Sequence, residues 1–281
     1  MPPHFAIGLP NVGPFGDATA IAELARLAEE SGWEGFFVWD HLLYREAQWP
    51  VADPWVGLAA ACMVTQRLRL GVLVAGLARR RPWNVAKTVS TLDHLSGGRL
   101  VLGAGLGSIP EEYDSFGESA DPAQRAERLD EALDIVAGLQ SGEEVSVEGK
   151  HYRVNSVRML PEPIQRPRVP IWIGGVWPNR APFRRAARWD GVVPTHIDYG
   201  KGQTMPPNAL REIVSYVREH HVGDRSFDVA LEGRTTGTEA DQDRVVQYAD
   251  AGLTWWIEAL GWWRGDLDDA RRRIEAGPLV L

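Results

Sequence analysis

The sequence predicts an α/β chain folded as a (β/α)8 TIM barrel, with a small insertion between the fourth helix and the fifth strand. Three observations predict it. Short apolar runs alternate with helical periodicities about eight times, the count that barrel closure requires. Many of those runs are apolar without alternation, as in parallel strands covered on both faces. A length of 281 residues suits one such barrel, so residues 1–281 read as a single domain.

Each element has its own signal. Phe5–Leu9 is an apolar strand stopped by Pro10, Asn11 and Gly13-Pro14. Asp17 caps a helix whose Ile21, Leu24, Ala25 and Ala28 share one face until Gly32 ends it. Gly35–Trp39 is the second strand, with Asp40-His41 at its carboxyl end. Asp53-Pro54 starts a helix through about Gln66, and Leu68–Ala75 is the third strand. Trp83–Leu95 is helical and stops at Gly97-Gly98. Leu100–Leu102 is a buried strand that leaves through Gly103, Gly105 and Gly107. Those glycines let a flat ligand approach the backbone, since no Cβ stands in the way. A dinucleotide fingerprint is the rival reading, but its last position is Ser108 and the strand does not open the fold. Pro122–Leu139 is helical, with Leu129, Leu133 and Val136 as its apolar stripe. The insertion, about 141–170, contains a hairpin (Val145–Val147 against Tyr152–Val154) and an extended arm, PEPIQRPRVP. Strands Ile171–Ile173, Val192–Thr195, Phe227–Leu231 and Thr254–Glu258 then alternate with helices Asn179–Arg188, Ala209–His220, Asp241–Ala251 and Asp266–Ala276.

Composition narrows the function. The formal charge of −8 argues against nucleic acid and an anionic membrane surface, leaving a small-molecule substrate as the expected partner. A lone cysteine, Cys62, excludes a disulfide framework and fits a reducing cytoplasm. The start MPPHFAIG has no signal-peptide pattern, and no apolar run reaches a membrane span.

Active sites of such barrels lie at the carboxyl ends of the strands. Those ends offer Asn11, Asp40, His41, Val74, Ala75, Gly103, Gly105, Gly107, Gly174, Gly175, Thr195 and Glu258. His41 can shuttle a proton near neutral pH while Asp40 tunes it; alternatively Asp40 caps a turn and His41 only packs. Glu111 and Glu112, just past the glycines, each read either as a catalytic carboxylate or as a structural residue. Ser108-Ile109-Pro110-Glu111 matches a capping box, which gives Glu111 a structural reading. Arg79, Arg80 and Arg81 read either as a contact for an anionic cofactor tail or as a solvated face. His94, inside a helix, reads as a packing or capping residue.

The blocks VWDHLL, LGVLVAGLARRRPWNVAKTVSTLDHLSGGRLVLGAGLG, RAERLDEALDIVAGL and VPIWIGG resemble the bacterial luciferase-like superfamily of flavin- and deazaflavin-dependent oxidoreductases. The resemblance implies a cofactor ring across the strand ends, contacting Asp40, Val74, Ala75, Gly103, Gly105 and Gly107. It implies a phosphate held near Gly174, Gly175, Val176, Thr195 and Lys201. It further implies a non-proline cis peptide near Val74-Ala75 and self-association as a homodimer. The cofactor is expected to be the deazaflavin F-420, in hydride transfer with an organic substrate. FMN, in a monooxygenase or reductase, is the alternative. The sugar-phosphate dehydrogenases of this superfamily share the Asp-His pair but place a glutamate where this chain has Ser108, and a tryptophan where it has Arg45. Activity on a sugar phosphate is therefore not expected.

Two other readings stay open. A non-catalytic barrel would store or sense flavin. A metal-dependent barrel would need Asp40, His41, His94 and His196 to converge, without an H-x-H strand motif to help it. Trp39, Trp49, Trp55, Trp177, Trp255, Trp256, Trp262 and Trp263 fall near strand ends. They either line a pocket for a flat apolar substrate or fill the core.

Overall fold

The computed structural model describes residues 2–44, 49–199, 203–221 and 226–281. Lys201 and Arg45 lie outside the described residues. Ten strands are described: β1 (His4–Leu9), β2 (Gly35–Val38), β3 (Arg69–Gly76), β4 (Leu100–Gly105), β5 (Val145–Glu148), β6 (Arg153–Val157), β7 (Ile171–Trp177), β8 (Gly191–His196), β9 (Asp228–Gly233) and β10 (Trp255–Ala259). Eight of them, all but β5 and β6, close into a parallel barrel in chain order, with β10 hydrogen-bonded back to β1. The surrounding helices are α1 (Ala18–Glu30), α2 (Pro54–Val64), α3 (Pro82–Ser96), α4 (Glu111–Asp114), α5 (Pro122–Gln140), α6 (Arg180–Ala186), α7 (Pro207–His220), α8 (Glu239–Asp250) and α9 (Leu267–Glu275).

Helix starts follow the sequence signals. The Asp17 carboxylate accepts from the N–H of Thr19 and Ala20 at the start of α1, and Asp53 does the same for Trp55 and Val56 in α2. Proline occupies the first turn of α2, α3 and α5, where its missing N–H costs nothing. α3 ends with Gly97 and Gly98 at φ of 69° and 86°, left-handed values that suit glycine.

The barrel interior is a plug of side chains. Each of the eight barrel strands contributes, through Ala6, Phe37, Leu73, Val101, Trp172, Val193, Ala230, Trp255 and Ile257. The Trp172 and Trp255 rings lie 5.8 Å apart, with Phe37 within 6.0 Å of both. Trp255 is therefore core filling, worth about 1.5–3 kcal/mol for burial of such a side chain. Trp256 faces outward and packs on Tyr248. The alternation of inward Trp255 and Ile257 with outward Trp256 and Glu258 is the two-residue strand period.

The insertion is present and small. β5 and β6 form an antiparallel pair of their own. Glu131 of α5 pins its turn, since its carboxylate accepts from the N–H of Lys150, His151 and Tyr152. The arm at 161–170 is not helical. His94 joins it to α3, its Nε2 lying 2.6 Å from the Glu162 carbonyl oxygen, in agreement with a packing role.

One sequence expectation is corrected here. Ser108 does not cap a helix and Glu111 closes no capping box. The cap position of α4 is Pro110, which already has helical angles (φ −58°, ψ −36°), and no side chain caps it. The first turn begins on the Ile109 and Pro110 carbonyls, which take the N–H of Glu112 and Tyr113. Ser108 is left exposed outside the turn, and Glu111 points to solvent.

Candidate active site

β2 ends at the barrel mouth and delivers Asp40 and His41 there. Asn11, at the end of neighbouring β1, fixes their backbone. Its fully buried amide donates to the His41 carbonyl (3.0 Å) and the Ala52 carbonyl (2.8 Å), and its Oδ1 accepts from the His41 N–H (3.1 Å). α4 brings Glu112 to the same point. Glu112 Oε1 is 3.1 Å from His41 Nδ1 and accepts from the N–H of Leu42 (2.6 Å) and Leu43 (3.3 Å).

Two arginines complete the cluster. Arg80 grips the Asp40 carboxylate with two nitrogens, at 3.1 and 2.7 Å. Arg79, with a side chain only 3 % exposed, bridges Asp40 Oδ1 (3.1 Å) and Glu112 Oε2 (3.3 Å). It also donates to the Asp40 carbonyl at 2.6 Å. The solvated-face reading of the arginine run thus fails for Arg79 and Arg80. Two buried carboxylates need compensating charge, and these guanidiniums are the nearest source. The tail-contact reading fails for Arg79 as well, because its guanidinium is committed to both carboxylates.

The electrostatics follow from this arrangement. Burial pushes the Asp40 carboxyl up, but the Arg80 hydrogen bonds and charge, Arg79 and the Gly76 N–H together hold it below its ordinary value. Burial opposes ionisation of Glu112 too. It is outweighed by the His41 hydrogen bond, the Arg79 charge and the Leu42 N–H, so Glu112 also lies low. An ionised Glu112 makes His41 Nδ1 the protonated nitrogen of the neutral ring. Nε2, with no hydrogen-bond partner among the described residues, then presents its lone pair as an acceptor.

The glycines do something the sequence did not reveal. A Cβ on Gly103 would lie 2.2 Å from the Val72 carbonyl oxygen. A Cβ on Gly105 or Gly174 would come within 2.8 or 3.0 Å of a Val74 methyl. A Cβ on Gly107, at φ 80°, would lie 2.6 Å from the Tyr113 hydroxyl. These residues first make room for the chain's own Val74, nested between β4 and β7, and for Tyr113. What remains on the mouth side is a low shelf where Val74, Gly174 and Gly175 are half-exposed and Val176 is exposed; Ala75 and Gly105 are buried beneath it. The Leu73–Val74 peptide is cis, one bond before the expected position. Val72 to Ala75 is also where β3 shifts register against β4.

Next to the shelf lies a cavity of about 460 Å³, walled by Thr195, Leu231 and Trp263 among others. Thr195 is exposed there, its hydroxyl donating to the Gly175 carbonyl. Gly174 and Gly175 lie inside a strand and not at a helix start. β7 continues to Trp177, and the Asn179 side chain takes the N–H of Ala181. Glu258 is not at the mouth; it points outward, where Arg264, Thr235 and the Trp256 N–H hold it. Asp40, His41, His94 and His196 do not converge either, and among the described residues no three His, Cys, Asp or Glu side chains form a metal-sized group. Cys62 is buried, and burial pushes its thiol up to about 11, leaving it unreactive.

Asn11 was visible in the sequence only as a strand-end residue, and Arg79 and Arg80 only as a charge run. Their ordering role depends on contacts with residues about 30 to 40 positions away. No local pattern announces that.

No described helix is long and apolar enough to cross a membrane. The sequence profile of luciferase-like monooxygenases matches residues 5–277. An uncharacterized protein of Mycobacterium tuberculosis is 31% identical over 258 residues, covering 85% of this chain and 84% of its own. Two solved structures share the fold. One is a coenzyme F-420-dependent tetrahydromethanopterin reductase from Methanopyrus kandleri, with a TM-score of 0.74, 18% identity and coverage of 98% and 97% of the two chains. The other is the oxygenating constituent of 3,6-diketocamphane monooxygenase from Pseudomonas putida, in complex with FMN. Its TM-score is 0.68, with 18% identity and coverage of 90% of this chain and 73% of that one.

Proposed function

The chain belongs to the luciferase-like monooxygenase family, and from that premise we propose that it is an oxidoreductase transferring hydride between an organic substrate and the deazaflavin F-420. The observation that carries this is the His41–Glu112 pair beside the Val74 shelf, with the His41 Nε2 unclaimed. Hydride transfer to or from an alcohol-type carbon needs exactly one accompanying proton, and one imidazole nitrogen is placed to handle it.

The shelf fits a planar ring. Glycine at 105 and 174 keeps Val74 low, and a side chain at either position would force Val74 out of its seat. Val74, Gly174, Gly175 and Val176 would hold the ring, with Thr195 beyond its edge and Lys201 as the proposed phosphate contact. When bound, the cofactor supplies the two-electron exchange, taking up or delivering the hydride. The chain does the rest. His41 Nε2 takes the substrate hydroxyl proton in the oxidising direction, or returns it to the carbonyl oxygen in the reducing direction. Glu112 stabilises the imidazolium this creates and fixes which nitrogen reacts. Arg79 and Arg80 keep both carboxylates ionised. Asn11 prevents the His41 backbone from drifting.

Titrating the apo protein separately with F-420 and FMN, followed by tryptophan quenching, tests the cofactor. Micromolar binding of F-420 alone supports the proposal, whereas binding of FMN alone moves it to a flavin reductase or monooxygenase. His41→Ala then tests catalysis. It should remove turnover by about 10²–10⁴-fold, the usual weight of a proton-transfer residue, and leave cofactor affinity within a few-fold. Turnover unchanged in that variant removes His41 from the mechanism. A wild-type protein that binds cofactor but turns nothing over supports a store or sensor instead.

A further inference from the structure

We propose that a second cavity, separate from the one at the mouth, is a site for a small phosphorylated ligand. It lies between the loop after β3, the loop after α4, helix α5 and the turn of the β5–β6 hairpin. Its volume is about 390 Å³, within the range of sites that hold small molecules. None of its lining residues lines the mouth cavity or belongs to the shelf, so the proposal stands apart from the cofactor reading.

The charge of the lining is unbalanced. It contains four arginines and one carboxylate, Glu118. Arg79 and Arg80 are already matched by Asp40 and Glu112. Arg128 Nη1 reaches Glu118 Oε2 only at 4.0 Å, too far for a hydrogen bond. The Arg81 side chain is exposed and makes no ion pair or hydrogen bond among the described residues; its guanidinium carbon lies 5.9 Å from the Trp83 ring centre. Arg81 also holds the cap position of α3, whose first turn has no acidic residue and no side-chain cap. A helix start is the positive end of its dipole, so a bare cation there is disfavoured and an added anion favoured.

Two hydroxyls add neutral donors. Ser119 Oγ accepts the Asp121 N–H at 3.3 Å, which leaves its own proton to give. The Tyr152 hydroxyl has no hydrogen-bond partner among the described residues. Burial pushes that phenol up while the Arg128 and Arg81 charges pull it down, so both guanidiniums act on one hydroxyl. A phosphoryl group carries several oxygens in different directions and takes guanidinium and hydroxyl donors from separate elements at once.

The acidic side chains of α5 nearest the hairpin turn are spent elsewhere. Glu127 pairs with Lys150 (2.8 Å) and His151 (2.9 Å), and Glu131 accepts the backbone N–H groups of the turn. That leaves Glu118 as the one carboxylate that would oppose an anion in the cavity. The insertion meanwhile gains a role, since its turn brings His151 and Tyr152 to the wall.

Calorimetric titration of the cofactor-free full chain with inorganic pyrophosphate, at constant ionic strength, tests the site. One pyrophosphate should bind per chain. Arg81→Gln and Arg128→Gln should each weaken it about tenfold or more, the weight of a charged hydrogen bond. Glu118→Gln removes the opposing charge and should tighten it about two- to fivefold; a gain of affinity also shows that this variant is folded. Repeating the titration with excess F-420 or FMN separates a free phosphorylated ligand from the cofactor's own phosphate, and pyrophosphate affinity should not change. Displacement by either cofactor gives the cavity to the cofactor and overturns the proposal. No binding, binding indifferent to all three variants, or weaker binding in Glu118→Gln overturns it as well. Failure of both cofactors to bind would sink the redox reading and leave the pyrophosphate result standing.

Discussion

Glu112 holds the His41 ring, two backbone N–H groups and the Arg79 guanidinium at once. Glu112→Gln keeps its shape but not its charge, so the imidazolium loses its partner. Turnover should fall about 10²-fold or more, with cofactor affinity within a few-fold of the parent. Turnover unchanged in this variant would reduce Glu112 to a structural role. Glu112→Ala differs: it leaves a buried arginine facing one carboxylate fewer, and urea unfolding should show a loss of about 3–5 kcal/mol. The sequence made Asp40, His41 and Glu112 legible as candidates because residue type and strand-end position point to chemistry. It hid how they are joined. His41 pairs with Glu112, seventy-one residues away, while Asp40 pairs with Arg79 and Arg80 instead.

At the scale of the elements, strands and helices were legible because periodicity and caps act within a few residues. The shelf was not, because it depends on register between β3, β4 and β7. The close approach at Gly103 is to a backbone carbonyl, which cannot rotate away. The one at Gly105 is to a valine methyl, which can yield. Gly103→Ala should therefore cost more than Gly105→Ala, each in the range of about 1–3 kcal/mol or above for overpacking. Val74→Ala should rescue the Gly105 variant and not the Gly103 variant, with thermal melting as the measurement. Equal losses in both variants, or rescue of both, would refute this account of the shelf.

Across the whole molecule, the buried ion network sets a pH dependence of stability. Asp40, Glu112 and Asp241 titrate below their ordinary values, Asp241 at about 2. A lowered folded-state value adds stability that is complete above the ordinary value and is lost as pH falls through the folded one. With ordinary values of 3.8 for aspartate and 4.5 for glutamate, the loss begins near pH 5 and grows toward pH 2. Asp134 and Asp228 are raised, chiefly by burial, and act in the opposite sense. The urea midpoint should nonetheless decline through the acid range, and less steeply in Glu112→Gln. A midpoint that rises below pH 5 would mean the raised pair dominates.

The β5–β6 hairpin falls between the fourth and fifth barrel strands, held to α5 through its turn. It divides the chain into two halves of four barrel strands each. Asn11, Asp40, His41, Arg79, Arg80 and Glu112 all precede it, whereas Thr195, Leu231 and Trp263 all follow. The residues proposed to handle the proton and these three cavity-lining residues therefore lie in separate halves of the chain. A crossover at the hairpin between this chain and a relative should exchange substrate preference as a block and inherit the acid–base apparatus intact.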